Sequence, residues 1–155
     1  MSRYIDQILQ PGERVLYSTT LHPVIYLPAT LAWAVAAVLF VLQRQAMSPG
    51  ANLLWLILAG LSALAALYWT VVAWFRRWTT ETDVTTLRVV HKTGFIRRRT
   101  FEMNLDKVES VDVDQSIPGR LLDYGDVTIR GVGEGFETIR MIATPLKFRT
   151  NITAR

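Results

Sequence analysis

Two stretches of this chain leave few choices of fold. "PVIYLPATLAWAVAAVLFVL", Pro23 to Leu42, and "ANLLWLILAGLSALAALYWTVVAWF", Ala51 to Phe75, contain no ionisable residue. Each meets the roughly 20 apolar residues that an α-helix needs to cross a hydrocarbon core. A helix buried in a soluble domain of this size keeps a polar stripe on its outer face, and neither run has one. Both therefore read as transmembrane helices, and they account for a chain that is 50% hydrophobic. The segment before the first run carries Asp6 and Glu13, unlike the short basic leader of a signal peptide, so the first helix is expected to be retained.

Only "QRQAMSPG" separates the runs, with Pro49-Gly50 as a turn signal, which predicts a tight antiparallel hairpin. Lys and Arg resist translocation. The connecting loop has Arg44 alone, whereas Arg3 and Arg14 precede the hairpin and Arg76 and Arg77 follow it. Both termini are thus expected on the cytoplasmic side of the membrane. Tyr26, Trp33, Trp69, Trp74 and Trp78 fall toward helix ends, where amphipathic rings suit the headgroup layer, while Trp55 lies nearer the other end of the second helix. Ala32 with Ala36 and Ala59 with Ala63 have the small-residue spacing that lets helix backbones approach.

Charge and composition exclude several function classes. The formal net charge is +4, yet Arg3, Arg14, Arg44, Arg76 and Arg77 precede Thr79 against Asp6 and Glu13 alone, leaving the remainder close to balance. A nucleic-acid partner calls for cations concentrated on the folded domain, so no nucleic-acid partner is expected. The absence of cysteine removes disulfides, cysteine-ligated zinc and thiol catalysis.

Outside the hairpin the periodicity differs. Tyr4, Ile5, Ile8 and Leu9 have helical spacing up to Pro11-Gly12, which predicts a short amphipathic helix within residues 1–22. After Trp78, "TETDVTTLRVVH" and "FIRRRTFEMNL" flank Lys92-Thr93-Gly94; "VESVDVDQ" alternates apolar and acidic residues; "DVTIR" and "ETIRMIA" flank "GVGEG". These predict five or six antiparallel strands with one buried and one wet face, curling into a bent sheet or partly open barrel. Val111 and Val113 fall on one face of their strand and Asp112 and Asp114 on the other. Thr144 is placed to cap a final helix with Pro145 in its first turn, and Leu146, Phe148 and Ile152 to cover the sheet. The expected organisation is a juxtamembrane segment at 1–22, a hairpin at 23–75 and a cytoplasmic domain at 76–155.

"QSIPGRLLDYGDVTI", Gln115 to Ile129, looks most like a functional motif. Ser116 has no histidine near it in sequence, and the plainer reading is a hydroxyl bonding the backbone where the strand turns. Asp112 and Asp114 lack the glycine offset of an EF-hand, and a solvated face paired with a neighbouring strand's cation is the simpler account. "GVGEG" is flanked by strands, not by the helix start of a phosphate loop, which suits positive φ angles in a hairpin. Neither His22 nor His91 belongs to a nucleophile or metal motif. No catalytic residue, metal or cofactor is therefore assigned. Within the motif, Leu121 and Leu122 are expected to close the core of the sheet.

These features together resemble the bacterial pleckstrin-homology-like membrane proteins, in which two helices precede a small PH-like domain. The residues that carry the resemblance are "YIDQIL", "PGERVLY" and His22 before the first helix, "TTLRVVHKTGFIRRR" after the second, and "VESVDVDQSIPGRLLDYGDVTIRGVG" leading to "TPLKF". Gln115, Ser116, Gly119, Arg120, Leu122, Tyr124 and Gly125 fit its most specific part, with Asp123 where the pattern favours a small residue such as glycine. The resemblance implies an α+β protein: a helical hairpin, then a bent antiparallel sheet of about seven strands with a short C-terminal helix.

The function this supports is a binding and assembly module anchored in the bacterial inner membrane, non-enzymatic, a scaffold or adaptor meeting another copy or another membrane protein. An alternative is a sensor of anionic phospholipid headgroups through Arg76, Arg77, Lys92, Arg97, Arg98 and Arg99, each cation adding about 1 kcal/mol near an anionic leaflet. The competing account of these arginines is a solvated rim paired with Glu102 or Glu81. An enzyme acting on membrane substrates through Ser116 or the Asp112/Asp114 pair has the least support.

Overall fold

A computed structural model describes residues 4–45, 48–94, 98–133 and 135–154. The chain forms two compact units, one of residues 23–75 and the other of residues 1–22 together with 76–155.

The first unit is a pair of helices. A 3-10 turn at Pro23–Tyr26 leads into α2 (Leu27–Arg44), and α3 runs over Pro49–Thr79. Pro28 lies in the first turn of α2, where its missing N–H costs nothing. The buried positions are alanines seven residues apart, Ala29 and Ala36 on α2 with Ala59, Ala66 and Ala73 on α3. Such small side chains let two backbones come close. Of the alanines expected at a close approach, Ala36 and Ala59 are buried and Ala32 and Ala63 are half-buried. Polar bonds add to the seam: Ser62 Oγ donates to Ala32 O at 3.1 Å, Trp33 Nε1 donates to Thr70 Oγ1 at 3.2 Å, and Gln43 Nε2 donates to Asn52 Oδ1.

The second unit contains α1 (Tyr4–Ile8) and two antiparallel sheets. One has the order β1 (Val15–Thr19), β2 (Glu81–Thr85), β3 (Arg88–Thr93), β4 (Arg99–Asn104); the other has β5 (Val108–Asp114), β6 (Tyr124–Gly131), β7 (Phe136–Ala143). These are seven strands among the described residues. "TETDVTTLRVVH" is split by a turn at Thr86-Leu87 into β2 and β3, and β1 is a strand that the helical spacing before it did not announce. β1 pairs with β2 across the whole apolar hairpin, Val15 opposite Thr85 and Thr19 opposite Thr82.

The sheets do not close into a barrel. β4 and β5 follow one another through a 3-10 turn, Leu105–Lys107, without pairing. On the other side the chain beyond β1 reaches β7 through a single bridge, Leu21 opposite Ile142. Their facing sides enclose Val84, Val89, Leu105, Val111, Val127, Ile129, Ile139 and Ile142. Val111 is buried and Asp112 exposed, as alternation along a strand requires.

Helix α4 (Ile117–Leu122) lies between β5 and β6, and α5 (Pro145–Thr153) follows β7. Phe148 and Ile152, four apart on α5, enter the core, with the Phe148 ring 6.4 Å from that of Tyr17. Leu146 does not: it is two residues from Phe148, on another face of the helix, and is exposed. Thr144 does not cap α5 with its side chain either. Its backbone is left-handed at φ 50, and its hydroxyl instead bonds the Tyr17 hydroxyl and Ala143 O.

Candidate functional site

Three groups of polar residues stand out in the second unit. The first fixes α1. Ile5 is fully buried, and the Tyr4 backbone N–H donates to Glu81 Oε2 at 2.9 Å. Behind α1, the Glu13 side chain is wholly buried; it accepts from Thr85 Oγ1 at 2.6 Å, Gln10 N at 2.9 Å and Arg88 Nη2 at 3.0 Å. Arg88 also donates to Ile8 O at 2.7 Å and to Glu102 at 2.9 Å. Burial alone would raise the Glu13 pKa, but the Thr85, Gln10 and Arg88 hydrogen bonds and the guanidinium charge outweigh it and hold the carboxyl below its usual 4.5. Thr85 and Arg88 lie 72 and 75 residues from Glu13, and no local pattern marks the pairing.

The second group surrounds a hollow of about 520 Å³ whose walls include Tyr4, Thr20, Arg77, Glu81, Lys92 and Arg98. α1 forms one wall, the starts and ends of β1 to β3 the floor. The Lys92 ammonium stands over the Tyr4 ring, 4.5 Å from its centroid, a cation–π contact that orients it. Among the described residues Glu81 is the one carboxylate lining the hollow, against the three cations Arg77, Lys92 and Arg98.

Of the cations expected to contact lipid, the fold thus brings Arg77, Lys92 and Arg98 to one hollow. Arg76 is exposed outside it. Arg97 lies outside the described residues. Arg99 is exposed and pairs with Glu137 at 3.2 Å; the expected partners, Glu102 and Glu81, are taken by Arg88 and by the Tyr4 amide. Asp112 pairs at 3.3 Å with Arg130 of the adjacent β6, both largely exposed. His91 is buried in β3, its Nδ1 2.8 Å from the Thr82 hydroxyl.

The third group is the motif at 115–125. Ser116 caps α4, accepting from Gly119 N at 3.2 Å. Gln115 Nε2 donates to Tyr124 O at 3.0 Å and to Gly119 O at 3.4 Å, stitching the helix to the strand after it. Gly125 has no room for a side chain, since a Cβ there would stand 2.6 Å from Asp114 O. Asp123 ends α4 in the left-handed region at φ 56, the position where glycine is most at ease. The Tyr124 ring stacks on that of His22 with centroids 5.2 Å apart. Arg120 is exposed. Ile117, Leu121 and Leu122 are 79%, 82% and 55% exposed, so the two leucines do not close the core. The buried residues beside Gly125, three positions past Leu122, are Pro145 and Ile142.

In "GVGEG", Gly133 has φ 96 and turns the chain between β6 and β7. Among the described residues, no three His, Cys, Asp or Glu side chains gather as metal ligands.

The assembly is two antiparallel sheets around one core into which α5 packs, with these polar groups at its margins. No curated protein and no solved structure matches the chain. A family model described as a bacterial PH domain matches residues 23–153, from the start of the first apolar helix to the end of α5. That match takes in both long helices, both sheets beyond β1, and α4 and α5, and on it the chain belongs to the bacterial PH domain family.

Proposed function

We propose that the chain is a membrane-anchored, non-enzymatic binding and assembly module of the bacterial cytoplasmic membrane. The observation that carries this reading is the bareness of the two long helices. In the most apolar stretch of Pro23–Arg44 only 11% of residues are buried, and in that of Pro49–Thr79 only 17%. The core helix of a soluble protein would be mostly covered. Leu31, Val38, Leu53, Leu61 and Leu64 are each more than half exposed, and apolar area of this kind is stable where the solvent is hydrocarbon. At about 1.5 Å per residue either helix reaches across a core of about 30 Å.

The distribution of cations favours cytoplasmic termini, with Arg44 alone between the helices and Arg76-Arg77 after them. Tethering to a membrane raises the effective concentration of a domain toward its neighbours, so that weak contacts suffice. β4 and β5 are edge strands, each paired on one side, and offer a docking edge to another copy or to a peptide of a membrane protein. Single cysteines placed in this cysteine-free chain test the topology. With an impermeant thiol reagent on intact cells, Ser48→Cys is labelled from outside and Ala154→Cys only after lysis; labelling of Ala154→Cys in intact cells would overturn the orientation.

A second reading is favoured by the cationic hollow: Arg77, Lys92 and Arg98 have the chemistry to hold an anionic phospholipid headgroup. A fragment starting at Thr79 lacks β1, Ile5 and Glu13, so the test uses the full chain. In detergent, anionic lipid is expected to co-purify with the protein and to be lost in Arg77→Ala with Arg98→Ala and at high salt. Equal retention in the variant would remove this reading.

A further inference from the structure

We infer that helix α4 is itself a lipid-contacting element, with Ile117, Leu121 and Leu122 seated in the interfacial layer of the phospholipid bilayer. This rests on the anchored reading of the two long helices. Three large apolar side chains are exposed together on a helix of only six residues, whereas the unit's other exposed apolar residues are spread over separate elements. Their exposure does not come from a loose segment. The Ser116 cap, the two Gln115 bonds and the close fit at Gly125 hold α4 in place.

The position of α4 identifies what covers it. Asp123 O, at the end of α4, accepts from Thr144 N at 2.9 Å, and Ala143 N donates to Thr20 O at 3.1 Å. His22 N donates to Met141 O at 2.8 Å, and the His22 ring lies on Tyr124, the residue that follows Asp123. The next residue after His22 is Pro23, where the apolar segment begins. The leucines of α4 are therefore two and three residues from a tyrosine that touches the last residue before that segment. The chain leaves for the apolar segment one residue after His22, so a bilayer that receives that segment at Pro23 is the apolar medium to which the end of α4 is tied through Tyr124 and His22.

The surroundings agree with a lipid interface. Leu146, also exposed, lines a hollow with Arg120 and Arg149, placing two cations beside apolar side chains as interfacial helices do. Asp114 and Asp123 line the same hollow, so the contact is not simply one of charge, and the apolar residues carry it.

The test uses the full chain in liposomes, with single cysteines at Leu121 or Ile117 and a control at Leu87. Leu87 is also an exposed leucine, but it lies in the β2–β3 turn, at the ends of the strands away from Thr19 and Glu81. Each cysteine carries an environment-sensitive fluorophore, quenched in turn by brominated phospholipid and by aqueous iodide. Leu121→Cys and Ile117→Cys are expected to be quenched by brominated lipid severalfold more than Leu87→Cys, and by iodide severalfold less. If both resemble the Leu87 label while the protein resists alkaline extraction, α4 is in water: the inference falls and anchoring stands. Shielding from both quenchers would put a protein surface on α4 and also overturn it. Release of the whole chain by alkali would overturn anchoring and the inference with it.

Discussion

His91 is the residue whose chemistry departs furthest from that of a free side chain. It is 6% exposed, and burial first, with the nearby Arg99 charge second, pushes its pKa from 6.5 to about 4. The folded protein thus holds a neutral imidazole bonded to Thr82, while the unfolded chain takes up a proton near pH 6.5. The sign follows: the unfolded state binds more protons below that pH, so the contribution is complete above about 6.5 and is lost as pH falls toward 4. Its size is on the order of 3 kcal/mol. Urea unfolding of the domain in detergent, followed by near-UV circular dichroism, is expected to show a falling midpoint between pH 7 and 4.5, and His91→Gln to flatten it. A midpoint equally steep in His91→Gln would assign the loss elsewhere. Glu13, its pKa held below 4.5, acts in a lower window: its stabilisation is present above the ordinary carboxylate range and is lost as pH falls below it.

At the scale of elements, the Glu13–Arg88 pair joins a segment that precedes the hairpin to a sheet that follows it. Losing Glu13 leaves Arg88 paired with Glu102 yet takes a buried charged acceptor from Arg88, Thr85 and Gln10 N, at a cost of about 3 kcal/mol. Glu13→Ala is therefore expected to lower stability by about that amount and to release α1, because Gln10 N and Thr85 also lose their acceptor. Amide hydrogen exchange reads this directly: faster exchange over residues 4–19 in the variant, with β5 to β7 little changed, is the expected pattern, and unchanged protection at 4–19 would contradict it. The same elements separate what could be read from sequence from what could not. Alternation at Val111, Asp112 and Val113 marked β5, and the ion-free runs marked α2 and α3, because in each the local pattern and the burial agree. β1 carried no such signal, since its partner β2 lies beyond the hairpin and the pairing is set by tertiary structure. In α4, leucine identity suggested burial, whereas the core is made by the strands, Leu105 and α5 without it. In the arginine run the cations were legible but their partners were not: Arg99 is drawn to Glu137, and Arg98 joins Arg77 and Lys92.

For the whole molecule, the folded domain is discontinuous: residues 1–22 complete the sheet begun at Glu81, with the apolar pair inserted between β1 and β2. An insertion whose ends return to adjacent strands, and whose surface is leucine, valine and alanine, suits a device that holds a binding domain at a lipid surface. The family match from 23 to 153 includes those helices with the sheets. The chain expressed in bacteria and treated at alkaline pH, then floated on a density gradient, measures anchoring most directly. Anchoring by α2 and α3 predicts that the full chain floats with the lipid at pH 11 and at high salt, as an integral protein does. Recovery in the soluble fraction after alkaline treatment, with the domain still folded once neutralised, would contradict it.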